Sequence, residues 1–416
     1  MSKYALCPEC TTIFQAEDTQ KNCPHCGKPV DIDAAVKNYE NKLKTFTIEG
    51  NILKKYKSLA ANVAVPPGIT EIDEFAFLNC AKTKRITIPD GVTAIRKGAF
   101  SGCTILPEIK LPESLTFIGD EAFGGCSALK SLDIPESVNY LGKYAIWGCA
   151  SLENINIPAG IPEIGEHTFE FCESLTEISL PDSVKSIGNV AFKGCESLKT
   201  IRIPEGLTCI GEECFAGCES LTGISIPDSI TKIEDWTFAG CESLTDIKLP
   251  KNLKTIGDFA FQSCGLTDID IPEGVSAIGA NAFESSSLIT ANIPASVKSM
   301  EYSAFLGCTD LRKINVSAEN PVFASVDSVL FSKDKTRLIL YPAGKPDENY
   351  TVPEGVEKIG EWAFSGCENL VSVTLPESLA EIGDFAFDEC ENLSEITGAE
   401  RFEADCFEGT KWAENQ

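Results

Sequence analysis

Apolar and polar positions along most of this chain repeat in one fixed frame. In the cleanest copy, Leu175-x-x-Ile178-x-Leu180-Pro181 is followed by isolated apolar Val184 and Ile187, then Gly188 and Phe192. Ile178 and Leu180 alternate as a half-buried strand does. Pro181 stops that strand, because proline cannot donate to a continuing ladder. Val184 and Ile187 then point inward from the next corner, Gly188 allows a tight bend, and a short helical turn carries Phe192 into the core. The frame is pinned by cysteines at 80, 103, 126, 149, 172, 195, 218, 241 and 264, a step of 23 residues. Three residues before each stands a large apolar side chain: Phe77, Phe100, Phe123, Ile146, Phe169, Phe192, Phe215, Phe238 and Phe261. No single site needs such a ruler, whereas a stack of like units does. A period between about 20 and 50 residues marks a solenoid, so the pattern predicts one long array and overrides the two or three globular domains that 416 residues would suggest. Strands stacked about 4.8 Å apart in a parallel sheet would carry about thirteen units over roughly 60 Å.

The ruler slips in places that predict local departures. Cys264-Gly265-Leu266 is one residue short, and Ser286 stands where the next cysteine belongs. Cys308 resumes the pattern, yet the following cysteine is Cys367. Between them, Val326 to Phe331 and Leu338 to Pro342 are apolar runs around a polar Lys333-Asp334-Lys335 turn, which predicts a β-hairpin insert at about 317–350. The last unit, with Phe407, Thr410 and Trp412, is degenerate, as a terminal cap is.

Ahead of the array the pattern changes. Ile32, Ala35, Val36, Tyr39 and Leu43 recur at helical spacing behind Asp31, a good N-cap, so 31–44 reads as a linker helix. Phe46 and Ile48, a Glu49-Gly50-Asn51 turn, then Ile52 and Leu53 predict a β-hairpin cap within 45–65, with the solenoid from 66 to 416. Residues 1–30 hold Cys7-Pro8-Glu9-Cys10 and Cys23-Pro24-His25-Cys26. Each C-P-x-C turn can aim two thiolates at one metal, so Cys7, Cys10, Cys23 and Cys26 are the candidate ligands of one structural zinc in a zinc ribbon. A closed four-sulfur site leaves no position for a reacting water. His25 replacing one cysteine, and redox pairs, are the weaker alternatives.

Composition changes this picture in two ways. The net charge of -27, with pI near 4.5, argues against a surface that binds nucleic acid. Within the ribbon Lys3, Lys21 and Lys28 are offset by Glu9, Glu17 and Asp18. Nineteen cysteines would suit a disulfide scaffold in a short secreted chain, but here four have metal spacing and most others follow the repeat, so reduced thiols in a cytoplasm are expected. The sequence begins without an apolar signal region and contains no membrane-length apolar stretch.

Phe-x-x-Cys-x-x-Leu followed by Ile-x-Ile/Leu-Pro resembles the BspA-like, treponemal-type leucine-rich repeats, over about 46–416. The segment from Val329-Leu330-Phe331 to Leu340-Tyr341-Pro342-Ala343-Gly344 looks like an insert common in that family, and 46–56 resembles its usual N-terminal cap. The resemblance implies a curved β-solenoid used for protein or surface recognition, often on secreted proteins, with no catalytic residues to carry over. The expected fold class is therefore an α/β solenoid: a leucine-rich-repeat right-handed superhelix with a parallel β-sheet on the concave face, plus the small N-terminal zinc ribbon.

The periodic thiols read as a buried ladder, cysteine acting as a small hydrophobe with a weak donor in the place asparagine takes in other leucine-rich repeats. Glu173, Glu196, Glu219 and Glu242 follow the ladder cysteines, and Asp182, Glu205, Asp228 and Glu273 follow strand-ending prolines. Stacking makes these two acidic rows, whose neighbours about 5 Å apart repel by roughly 0.8 kcal/mol in water; weak divalent-cation binding is the sharper alternative. Catalysis has little support. His25 and His167 are the histidines of the chain, His167 reads as a surface substitution, and no nucleophile elbow, phosphate loop or dinucleotide fingerprint is present. The outward strand residues remain: Arg85, Thr87, Glu108, Lys110, Asn154, Asn156, Glu177, Thr200, Arg202, Asp246 and Lys248. They are polar, mixed in sign and without an aromatic anchor. The sequence thus points to a non-enzymatic protein-protein interaction scaffold in the cytoplasm. An exported surface adhesin, or a nucleic-acid-linked regulator acting through the ribbon, are the alternatives.

Overall fold

The structure, a computed structural model, describes residues 3–10 and 12–414; residues 1–2 and 11 of the expected ribbon and 415–416 of the expected solenoid lie outside the described residues. It is a parallel-strand solenoid of about 15 turns with few helices. Contacts divide the chain into two compact units, residues 1–204 and 205–416, each taken by itself.

The first unit opens with β1 (Tyr4–Leu6) antiparallel to β2 (Ile13–Gln15). Helix α1 (Ile32–Leu43) follows, its first turn capped by Asp31 Oδ1, which accepts from the Ala34 amide at 3.2 Å. This helix does not stand off as a bare linker. Ala35 is buried with Ala5, Cys7, Phe14 and Cys23, and the Tyr39 ring lies 6.0 Å from Tyr4. The spacing of Ile32, Ala35 and Val36 gives the helix one apolar stripe, and the ribbon is what that stripe covers.

Next, β3 (Phe46–Glu49) pairs antiparallel with β4 (Ile52–Tyr56), and the hairpin turn carries Gly50 at φ 59. Strand β4 already pairs in parallel with β6 (Glu71–Ile72), and β5 (Asn62–Ala64) with β7 (Arg85–Thr87). Residues 62–65 are therefore the first solenoid turn and not part of the cap.

Each turn then has more walls than the pattern predicted. The expected strand is present, as Glu177–Ser179 against Thr200–Arg202, with Ile178 buried and its neighbours exposed. A second parallel sheet runs through two-residue strands, Glu71–Ile72, Ala94–Ile95, Phe117–Ile118 and Tyr140–Leu141. In the second unit Tyr302–Phe305 keeps such a turn as a short 3-10 helix, but in the first unit the expected helical turn around the core phenylalanine is instead a chain of β-turns. There, alternate amides reach the next turn: Phe75 N to Lys97 O, Phe77 N to Ala99 O and Asn79 N to Ser101 O, at 3.0, 2.7 and 2.8 Å. The backbone is thus satisfied between turns on this side too, without a helix.

Gly188 has a different role from the tight bend first assigned to it. Its φ is not positive, but a Cβ there would lie 2.6 Å from the Glu166 amide nitrogen of the turn before. Glycine at this register lets adjacent backbones touch.

The core of the first unit is a file of aromatic rings. Phe77, Phe100 and Phe123 stack at 5.1 and 5.3 Å, and Phe169 stacks on Phe192 at 5.2 Å, each pair within 15° of parallel. Burying such a ring contributes about 1.5–3 kcal/mol, and its stacking about 0.5–1.5 more. The ladder thiols sit beside this file and donate to it: Cys103, Cys126, Cys149, Cys172 and Cys195 Sγ point to the carbonyls of Phe77, Phe100, Phe123, Ile146 and Phe169 at 3.2–3.4 Å. Their sulfurs contribute weak hydrogen bonds, so the rings dominate the energetics.

The second unit repeats the plan from Phe215 through Phe238, Phe261, Phe283 and Phe305, rings 5.2–5.5 Å apart. The short unit keeps register, since Thr255 pairs with Ala277 and Asp268 with Thr290. Ser286 takes the ladder position and meets Cys308 Sγ at 3.4 Å. The insert is larger than a single hairpin. Phe323–Val326, Val329–Ser332 and Arg337–Leu340 form an antiparallel meander, whose third strand rejoins the short-strand sheet beside Lys358–Ile359. Buried Asn320 ties its start to the preceding turn: Nδ2 donates to the carbonyls of Pro294 and Val297, and Oδ1 accepts from the amides of Val322 and Phe323. At the far end Phe407 packs on Phe387 and, edge-on, on Trp412 at 5.0 Å.

Candidate metal centre and strand-face grooves

The two C-P-x-C turns bring four sulfurs together. Cys7 Sγ lies 3.8 Å from Cys26 Sγ and Cys10 Sγ 3.6 Å from Cys23 Sγ, and all four lie within 4.8 Å of one another. A disulfide needs about 2.05 Å, whereas a tetrahedron with metal–sulfur bonds of about 2.3 Å has edges of about 3.8 Å. The donor set fits zinc. Backbone geometry holds it: Cys7 N donates to Thr12 O at 3.1 Å, Cys23 N to Lys28 O at 2.8 Å, and Gly27, at φ 70, reverses the chain after Cys26. Cys7 and Cys23 are buried against α1, Cys10 is half-buried, and Cys26 is exposed. His25 is exposed and does not join the cluster.

Crowding spreads the acidities of these thiols. Partial burial opposes ionisation of Cys10, but hydrogen bonding with Thr12 and with Cys7 and Cys23 outweighs it and brings the thiol down to about 6. The Lys28 amide favours the Cys26 thiolate, yet burial and the three other sulfurs prevail and push it up to about 11. A divalent cation held by these four sulfurs would resolve that competition by taking the place of the shared protons. Lys28 Nζ also reaches Glu9 Oε2 at 2.8 Å, clasping one knuckle to the other, and Lys3 pairs with Asp18 at 3.2 Å.

The predicted partner-facing residues separate into groups. Arg85, Thr87, Glu108 and Lys110 line one groove of the first unit, together with Ser131 and Asp133. Asn154, Asn156, Glu177, Thr200 and Arg202 line a neighbouring one of about 750 Å³. Asp246 and Lys248 lie on a strand of the second unit, both exposed, and line neither groove. Some of these groups are already engaged. Arg202 donates to the Leu180 carbonyl at 2.7 Å and pairs with Asp182 at 2.8 Å. Asn156 is a stitch between turns, exchanging 2.7 and 2.8 Å bonds with the backbone of Ile134.

The acidic rows gather no ligand set: among the described residues the four ribbon cysteines are the one group of three or more metal-binding side chains that converge. Several carboxylates of other registers meet cations across turns, as Glu121 meets Lys97 and Glu166 meets Lys143. No helix of the described residues is long and apolar enough to cross a membrane.

With the two-walled turn, the ring file and the thiol ladder in view, the comparison with known families is decisive. The BspA type leucine rich repeat region, in six copies, matches residues 46–175, 162–289, 208–337 and 344–414. The chain belongs to this family. A leucine-rich repeat protein of known structure from Bacteroides ovatus is 25% identical with a TM-score of 0.54, over 88% of this chain and 97% of that one. A leucine rich cell surface protein from Faecalibacterium prausnitzii is 26% identical, with a TM-score of 0.44, over 86% and 75% of the two chains. No curated protein matches. The BspA-type match begins at residue 46, so the ribbon and α1 stand outside it.

Sequence reasoning passed over one group. His167, read as a surface substitution, stacks on Tyr144 at 4.2 Å and bonds Glu170 Oε2 through Nδ1 at 2.8 Å. The available signal was register: Tyr144 stands one period before His167.

Proposed function

We propose that this BspA-type protein is a non-enzymatic protein-protein interaction scaffold of the cytoplasm, with a zinc-stabilised ribbon at one end of the chain. The observation that carries the reading is the strand face of the first unit, where Arg85, Glu108, Lys110, Glu177 and Arg202 are exposed on strands and β-bridges around two open grooves. Polar and mixed in sign, such a face favours a partner by charge complementarity. The family's use in recognition supports the same class of role. Reduced, buried thiols that donate to carbonyls favour a reducing compartment over the adhesin alternative. The ribbon's lysines count against nucleic acid, since Lys3 and Lys28 already face carboxylates.

The test uses full-length protein as bait in extract of the native cell, beside Lys110→Glu and Arg202→Glu bait. A partner captured by the first and lost from the charge-reversed chains supports the strand face. A partner held equally by all three moves the site elsewhere on the molecule.

A further inference from the structure

One turn of the first unit breaks the repeat in three places at once. At 144–147 the chain reads Tyr-Ala-Ile-Trp, so the core position holds Ile146 where neighbouring turns have Phe123 and Phe169, and the two outward positions hold rings. The same pair of registers carries Gly98 and Ser101, Glu121 and Gly124, His167 and Glu170, Val190 and Lys193 in the surrounding turns. In the second unit they carry Trp236 and Ala239, Phe259 and Gln262, or Trp362 and Ser365. Two rings coincide at 144–147 alone among these. A turn that departs from its own pattern while keeping its backbone is where function is to be sought.

The rings and their neighbours make a small pocket of about 320 Å³, lined by Glu121, Tyr144, Trp147 and Glu170. Its walls are fixed from behind. Tyr144 holds a left-handed backbone (φ 57) and lies against His167, ring centroids 4.2 Å apart and 8° from parallel. The Trp147 indole lies over Gly124, where a Cβ would stand 3.0 Å from Nε1, so any larger residue at 124 would crowd it. Trp147 nevertheless remains 37% exposed. Glu170 gives Oε2 to His167 at 2.8 Å, and its other oxygen has no protein partner among the described residues. Glu121 is held by Lys97 at 3.1 Å, and Lys143 by Glu166 at 3.0 Å, so these two lysines already have counter-charges.

Aromatic faces carry partial negative charge, and two carboxylates beside them select a cation over a neutral apolar group. We propose that the Tyr144–Trp147 pocket binds an alkylammonium cation, its methyl or methylene groups against the rings and its charge beside Glu170. The site is independent of the strand-face grooves, from which it shares no lining residue.

The chain has four tryptophans, so indole N–H signals in a 15N-labelled full-length sample separate the site from the rest, with Trp147→Phe assigning its signal. Choline chloride, titrated at constant ionic strength, is expected to shift the Trp147 signal saturably and leave that of exposed Trp236 in place. The uncharged isostere 3,3-dimethyl-1-butanol is expected to bind about fivefold or more weakly. Glu170→Gln weakens choline binding more than Glu121→Gln, because Glu121 already answers Lys97. A trimethyllysine peptide run beside choline tells a protein-borne ammonium from a free one: tighter binding of the peptide favours the former, tighter binding of choline the latter. Equal binding of the neutral isostere, or a choline response that survives Trp147→Ala, overturns the proposal. If Trp147→Ala does not fold, as its amide spectrum would reveal, Glu170→Gln with no loss of binding overturns it instead.

Discussion

The ribbon and the solenoid use the same side chain to opposite ends. In residues 3–30 four sulfurs converge, two of them buried in a small core and two reaching toward the surface, and their crowding brings one thiol, Cys10, down to about 6. In the repeat each ladder thiol comes from a different turn and lies buried beside a phenylalanine file, and burial pushes Cys149 and Cys195 up to about 12. What separates a metal ligand from a small hydrophobe is thus the number of neighbouring sulfurs and the apolar area around them. A 30-residue module cannot assemble a sufficient apolar core and needs a metal, whereas a stacked turn obtains its core from the turns on either side.

The strongest way to break this contrast is at the ribbon. Full-length protein purified under reducing conditions is expected to hold one zinc per chain by elemental analysis. Metal contributes about 10–16 kcal/mol to such small folds, so Cys10→Ser should unfold residues 3–30 entirely. Because α1 packs its Ala35 into the ribbon core, the helix should lose order with it, while backbone amide signals of the repeat persist. Zinc-free wild-type protein with an ordered ribbon would refute the assignment.

Within the solenoid the expected effects are smaller and ordered by what is buried. Phe169→Ala should cost about 3–5 kcal/mol in denaturant titrations and Cys172→Ala about 1–2, since one removes a stacked ring and the other a sulfur with one weak hydrogen bond. A larger loss for the cysteine would mean that the thiol ladder, not the rings, holds the turns together. Ladder thiols should react with Ellman's reagent only after unfolding. For Cys149 and Cys195 the sign of the pH effect follows from their raised values. A thiol at about 12 when folded and near 9 when unfolded keeps its full stabilisation below pH 9. That stabilisation falls by about 1.4 kcal/mol per pH unit per thiol as pH climbs toward 12.

The smallest effect belongs to the surface. Rows such as Glu173 and Glu196 place like charges on successive turns, so salt should raise the melting temperature slightly, within a Debye length of about 8–10 Å. With no converging carboxylates among the described residues, magnesium and calcium should act alike. A saturable calcium step lost in Glu196→Gln and Glu219→Gln would show a bound cation. A melting temperature indifferent to salt would mean that cross-turn pairs such as Lys143–Glu166 cancel the repulsion.

The period, the thiol ladder and the outward strand residues were legible because stacking demands the same residue at the same register in every turn. The second sheet was not, since two-residue strands such as Ser186–Ile187 are too short to show alternation. The β-turns behind Phe192 were mistaken for helix because left-handed positions at Tyr144, His167 and Val190 carry no glycine to announce them. Asn320 carries no signal in the sequence, a single polar residue before a proline, yet its four hydrogen bonds seat the start of the meander. The strand-face residues could be named, but a mixed polar set does not encode its partner.

A ladder of like parallel strands resembles a polymer with a living end, because each strand added recreates the edge to which it was added. A second copy of the chain would then need only a flat edge to continue the growth. On the short-strand wall of the first unit that edge is β3, which runs opposite to the ladder, is four residues long and is bent by a register shift between Thr47 and Ile48. An incoming parallel strand meets donors at uneven spacing on a twisted rim. The hairpin therefore acts as a chain stopper: it fixes where this wall begins and discourages its extension by another molecule.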